Sequence, residues 1–197
     1  MRTQTNMPLL GTREIVNILV SALALGLAFT IALRGDLTVF AFSLLTVSVG
    51  FIGHELAHKF TAMRFGYFAR YQIWPMGLLM ALVLSLGGFV FAALGAVQIF
   101  SGGQLFGRRI SVAEEGIISL AGPTFNVVLS VLLMGLAASF SGPYGRLLSL
   151  GARVNALIAL FNCLPFFILD GRKIFSWDKV VWALAIGVSA VIFLLNS

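Results

Sequence analysis

Charge is what this sequence has least of. Asp, Glu, Lys and Arg make up 10% of its 197 residues, against about a quarter in an ordinary soluble domain. With 59% hydrophobic residues and a mean hydropathy of +1.02, that scarcity excludes a soluble globular fold and points to an integral membrane protein. One cysteine, Cys163, excludes an intramolecular disulfide, and within an apolar run it is expected to be an inert buried thiol. No internal repeat and no low-complexity tract is present. An acidic residue, Glu14, stands ahead of a long first apolar run, which argues against a cleavable signal peptide. The net charge of +6 does not imply a nucleic-acid partner. The basic residues are scattered between apolar runs, as in loops that face anionic lipid.

Histidine is scarcer still. The only two in the chain fall in Gly53-His54-Glu55-Leu56-Ala57-His58, inside the apolar stretch Leu37–Met63. On a helix, positions i and i+4 lie one above the other, so both imidazoles can reach one metal ion. Glu55, between them, can act on water held there, which is the logic of a zinc hydrolase. In a soluble protein the same motif is often an ordinary polar helix face. Within lipid-facing sequence an idle insertion of three polar side chains is costly, and that favours the metal reading.

In chain order, a short polar start leads to an apolar run over 15–33, then a turn at Arg34-Gly35-Asp36 and a second run over 37–63. Further runs cover 117–140, 147–169 and 179–195, each near the length a membrane-crossing helix needs. Ser141-Gly142-Pro143 reads as a turn, and Asp170-Gly171-Arg172-Lys173 as a short loop with Trp177 as an interface anchor. The fold class expected is an all-α polytopic membrane protein of about five to six transmembrane helices. The whole of 1–197 reads as one membrane-embedded domain.

From Tyr71 to Gly107 no residue is charged, yet residues 74–100 are not expected to form a simple crossing. A single crossing would put the ends of the 37–63 and 147–169 runs on opposite faces of a core about 30 Å thick, separating His54 and His58 from Asp170. With no net crossing, ten Lys and Arg fall on one side and three on the other; with one crossing the split is seven to six. The positive-inside tendency selects the first and places the N-terminus and the motif toward the cytoplasm. Two full crossings need roughly 40 apolar residues. The stretch also contains Pro75, Gly77, Gly87, Gly88 and Gly95. It is therefore read as re-entrant, with extended pieces around Phe68–Trp74 and Phe89–Phe100, lining a cavity where irregular backbone is tolerated.

Of the seven acids, Glu55 alone lies well within an apolar run and Asp170 alone directly closes one. His54, His58 and Asp170 would offer two nitrogens and an oxygen, leaving a fourth tetrahedral position for water. Against this, Asp170-Gly171 is also a common turn pair. Asn162 precedes Asp170 by eight residues and can face the same side, where its amide would serve an oxyanion. A helix–helix hydrogen bond is the competing role. Pro165 should kink or open its helix. Asn126 and Gly122-Pro123 read as packing features, a close helix approach and an interhelical amide.

Taken together, His54-Glu55-Leu56-Ala57-His58, Gly122-Pro123-x-x-Asn126 and Phe161-Asn162-Cys163-Leu164-Pro165 leading to Leu169-Asp170-Gly171 resemble the site-2 protease family of intramembrane zinc metalloproteases. The resemblance implies one Zn2+ held by His54, His58 and Asp170, with Glu55 as catalytic acid/base and Asn162 assisting substrate or oxyanion. It also implies a membrane-anchored protein substrate, cut in or near its transmembrane segment, and a multi-pass protein of the cell membrane. No PDZ or CBS module is recognisable, and the apolar insertion after the second run is longer than the minimal family core. The sequence carries no signal of oligomeric state. The alternative from another class is a transporter or metal-handling protein using the His/Glu/Asp group as an ion site, which broken helices would also suit.

Overall fold

The computed structural model describes residues 10–100 and 109–196. Seven helices and one two-stranded sheet make up these residues: α1 Thr12–Ala32, α2 Leu37–Arg64, β1 Phe68–Ile73, α3 Pro75–Ser85, β2 Gly95–Phe100, α4 Val112–Ala138, α5 Gly142–Asn162, α6 Asp170–Trp177 and α7 Lys179–Leu195. Three of them, α1, α2 and α4, are long and apolar enough to cross a membrane. The polar start before Leu10, the end of the uncharged stretch at 101–107 and Arg108 lie outside the described residues.

Polar residues open several of the helices. Asp36 accepts from the Thr38 and Val39 amides at 2.9 and 3.0 Å and opens α2. Ser111 and Glu114 form a capping box, so α4 begins at Val112 rather than 117. Ser141-Gly142-Pro143 is not a free turn. Ser141 is the N-cap of α5 and Pro143 sits in its first turn, where a missing amide hydrogen costs nothing.

The run 147–169 is corrected most. Helix α5 stops at Asn162, and residues 163–169 are turns and bends. Pro165 cannot donate to the carbonyl four residues back and would clash with it, so the chain leaves the helix instead of bending within it. The segment 170–177 is a helix rather than a loop. Trp177, at its end, packs against Gly116 of α4.

Between α2 and α4 the chain forms an antiparallel hairpin, β1 with β2, in the register Phe68↔Phe100 through Ile73↔Gly95. The extended pieces expected there are present, although Phe89–Leu94 is irregular. The hairpin brackets α3, whose 11 residues reach about 16 Å at 1.5 Å per residue. The pairing of Phe68 with Phe100 returns the chain to where it left. Tyr71, fully buried, joins hairpin to helices: its hydroxyl meets Ser21 Oγ of α1 at 2.8 Å and its ring packs edge-on against Phe51 of α2. Ile18, Leu25, Phe29, Val47, Val154 and Ile158 complete this core.

Candidate metal centre

Helix α2 presents His54 and His58 one turn apart, with ring centroids 4.6 Å apart and ring planes nearly perpendicular. Asp170, the first residue of α6, meets them from a distant part of the chain. Its Oδ2 lies 3.2 Å from His54 Nε2 and 3.1 Å from His58 Nε2, and the two Nε2 atoms are 3.0 Å apart. Among the described residues these three form the group whose donor atoms lie within 4.8 Å of one another. Asp170-Gly171 therefore opens a helix rather than making a surface turn. The Cys163 and Leu164 carbonyls occupy the space a side chain at position 171 would need, so glycine lets α6 come in under the end of α5.

The hydrogen bonds behind the imidazoles fix which atoms face the centre. His58 Nδ1 lies 2.7 Å from the Ile118 carbonyl, which can only accept, so Nδ1 carries the proton. His54 Nδ1 lies 2.6 Å from Asn126 Oδ1. The Asn126 amide nitrogen is committed to the Gly50 carbonyl at 3.1 Å and Asn155 Oδ1 at 2.9 Å, so its oxygen accepts from His54. In the neutral rings both Nε2 atoms then present lone pairs. Two nitrogen lone pairs and a carboxylate thus converge at hydrogen-bond distance with no proton of their own to share.

That donor set fits a zinc ion. Ligands at about 2.0–2.1 Å in tetrahedral array lie about 3.3 Å apart, close to the spacings found here. Gly122 on α4 lies over the same point, and a side chain there would meet Nε2 of both histidines. The space is kept open by the absence of a Cβ.

Glu55 is 6% exposed, and its Oε2 has no hydrogen-bond partner among the described residues. The Val97 backbone of β2 faces the same carboxylate. Glu55, Val97, Asn162, Asp170 and Lys173 line a cavity of about 50 Å³ with the two histidines, room for a few water molecules. Asn162 borders this cavity and donates Nδ2 to the Ile158 carbonyl of its own helix at 3.0 Å. Cys163 is buried and stands apart from the cluster.

Asn126 is the residue whose role the sequence understates. It does tie helices together, as expected, but its oxygen also orients a candidate ligand. Gly122 and Asn126 are spaced i, i+4 on α4, as His54 and His58 are on α2. That matched spacing is the signal for two facing stripes. Lys173, at the rim and 3.6 Å from Glu115, had no such signal.

No family model and no solved structure matches the chain. Curated relatives do. The chain is 34% identical over 177 residues to "Putative zinc metalloprotease MJ0611" of Methanocaldococcus jannaschii, covering 87% of this chain and 88% of that one. It is 36% identical over 134 residues to the similarly named Rip2 of Mycolicibacterium smegmatis, covering 60% and 49%. To YwhC of Bacillus subtilis, also so named, it is 28% identical over 160 residues, covering 70% and 69%. None of these names favours a transporter. With the resemblance extending over most of both chains in the first comparison, the chain belongs to the site-2 protease family of zinc metalloproteases.

Proposed function

We propose that this protein is an intramembrane zinc metalloprotease, one membrane-embedded domain that hydrolyses peptide bonds in or near transmembrane segments of membrane-anchored proteins. The observation that carries the reading is the convergence of His54 Nε2, His58 Nε2 and Asp170 Oδ2 beside the unpartnered Glu55 oxygen. His54, His58 and Asp170 would hold the ion. Zinc, when bound, supplies Lewis acidity that brings the pKa of water toward about 7. Asn126 and the Ile118 carbonyl keep each imidazole in the tautomer that offers Nε2. Glu55 takes a proton from the attacking water and returns it to the leaving amine nitrogen. Asn162 has a second amide hydrogen to offer the developing oxyanion.

A transmembrane substrate hides its peptide bonds in helix and must be locally extended before it is cut. Strand β2 suits this: it pairs with β1 on one side only among the described residues, and Gly95, Ala96, Val97 and Ile99 line the cavity. An unwound substrate segment added to that edge would place its backbone beside Glu55. The reading of residues 74–100 as re-entrant, within a bundle of five to six spans, rests on the short α3 and on the pairing of Phe68 with Phe100. The positive-inside balance then sets the N-terminus and the centre toward the cytoplasm.

The decisive experiment joins metal analysis of purified protein to cleavage of a transmembrane peptide. One zinc per chain is expected, with cleavage inside the apolar stretch that stops on chelation and returns with zinc. Cleavage confined to soluble flanks would remove the intramembrane part of the reading. Cysteine accessibility at positions 65 and 110 tests the topology, since labelling from opposite sides would rule out re-entry.

A further inference from the structure

The motif helix carries a second buried ionisable residue that the metal centre does not use. Lys59, directly after His58, is 4% exposed, and its Nζ donates to both Glu14 oxygens at 2.7 and 2.6 Å. Glu14, at 2% exposure on the first turn of α1, also accepts from the Tyr71 amide of β1 at 2.9 Å. This carboxylate therefore ties α1, α2 and the hairpin together.

Lys59 also has another acid within reach along its own helix. Glu55 and Lys59 are spaced i, i+4 on α2, on one face, with the acid toward the N-terminus, which is the favourable orientation for a helical ion pair. Glu55 Oε2 meanwhile has no partner. A buried ammonium that loses its counter-charge is strongly driven to find another, and the Glu55 carboxylate one turn away, with its unpartnered Oε2, is the nearest on its helix. In the structure Lys59 points to Glu14 instead, and Glu55 is left to the cavity.

We propose that Glu14 is a positioning residue that holds Lys59 away from Glu55, so that the Glu55 carboxylate stays free for proton transfer. The proposal rests on the reading of Glu55 as the base. The same carboxylate sets the hairpin: Tyr71, whose amide it accepts, is the register partner of Val97, and the Val97 backbone faces Glu55.

The test uses full-length zinc-loaded protein in detergent: wild type, Glu14→Gln, Lys59→Met and the double variant. Each is assayed for transmembrane-peptide cleavage, zinc content, thermal unfolding and labelling of Glu55 by a hydrophobic carbodiimide, read by peptide mass spectrometry. Glu14→Gln is expected to lower kcat by at least about tenfold, since a placed acid/base contributes roughly 10²–10⁴. KM and zinc should change little, and Glu55 labelling should fall as Lys59 pairs with it. Adding Lys59→Met to Glu14→Gln removes the competing cation and should restore most of both rate and labelling, whatever the unfolding temperature does. A Glu14→Gln enzyme with wild-type kcat and labelling would overturn the proposal. So would a double variant no faster and no better labelled than Glu14→Gln, because that is the pattern of a merely structural ion pair. Wild-type protein that does not cleave, but shows the labelling lost and regained, would sink the protease reading and leave the sequestration of Lys59 standing.

Discussion

Helix α2 carries two buried polar constellations within one turn of each other, and they are built on opposite plans. The Glu14–Lys59 pair is complete: the ammonium meets both carboxylate oxygens, and the carboxylate also takes the Tyr71 amide. The group formed by His54, His58 and Asp170 consists of acceptors alone, with Glu55 beside it holding an unpartnered oxygen. Leaving buried polar groups unsatisfied costs free energy that a merely structural site has no reason to bear. The Glu14–Lys59 constellation is closed within the polypeptide, whereas the acceptors of the other fit the zinc site proposed above.

The strongest way to break this contrast is to remove an acceptor. His54→Ala and Asp170→Ala should each reduce bound zinc from one per chain to near none, with cleavage falling alongside. Retention of stoichiometric zinc in Asp170→Ala would exclude it as a ligand. Glu55→Gln separates the two halves of the unsatisfied site. It should lower the cleavage rate by roughly 10²–10⁴ while zinc content stays at the wild-type level. Zinc lost from that variant would move Glu55 from proton transfer into the ligand set.

A smaller effect is expected one step back from the metal. Asn126→Ala leaves all three donor atoms in place but removes the oxygen that fixes the His54 tautomer, and zinc affinity should weaken by about 10–100-fold. Competition with a chelator of known affinity measures this directly. An unchanged affinity would return Asn126 to the interhelical packing role alone.

These effects also mark what could be read in advance. His54, Glu55 and His58 stood out because polar groups within an apolar run are expensive, and Asp170 because it closes such a run; both signals are local. Charge balance and chain length gave the expectation that 74–100 is not one crossing, which remains a proposal; of that reading the hairpin bears out the extended pieces. The early end of α5 was less legible. Pro165 announces a disturbance, but whether a helix kinks or stops depends on what takes up the freed space, here α6 packed through Gly171. The Glu14–Lys59 pair was not legible at all: its partners are 45 residues apart, and the sequence offers Lys59 a nearer acid in Glu55. Asn126 failed for a different reason, since an amide that glues helices and one that orients a ligand look alike until the neighbouring helix is in place.

A second ion pair sharpens the comparison from the weak end. Lys173 of α6 and Glu115 of α4 approach at 3.6 Å, but their side chains are 39% and 41% exposed. Both partners stay hydrated when the contact is lost, so no buried charge is stranded, and the pair should contribute less than about 1 kcal/mol. Glu115→Gln is chosen over a change at Lys173, because the lysine lines the cavity and its loss would mix a surface effect with one on the site. The expected result is an unfolding temperature within a degree or two of wild type (a shift of about 2–4 °C accompanies each kcal/mol in a chain of this size) and unchanged zinc content. A large destabilisation from Glu115→Gln would mean that exposure does not separate the ion pairs of this protein, and that the division of α2 into a satisfied and an unsatisfied half needs another basis.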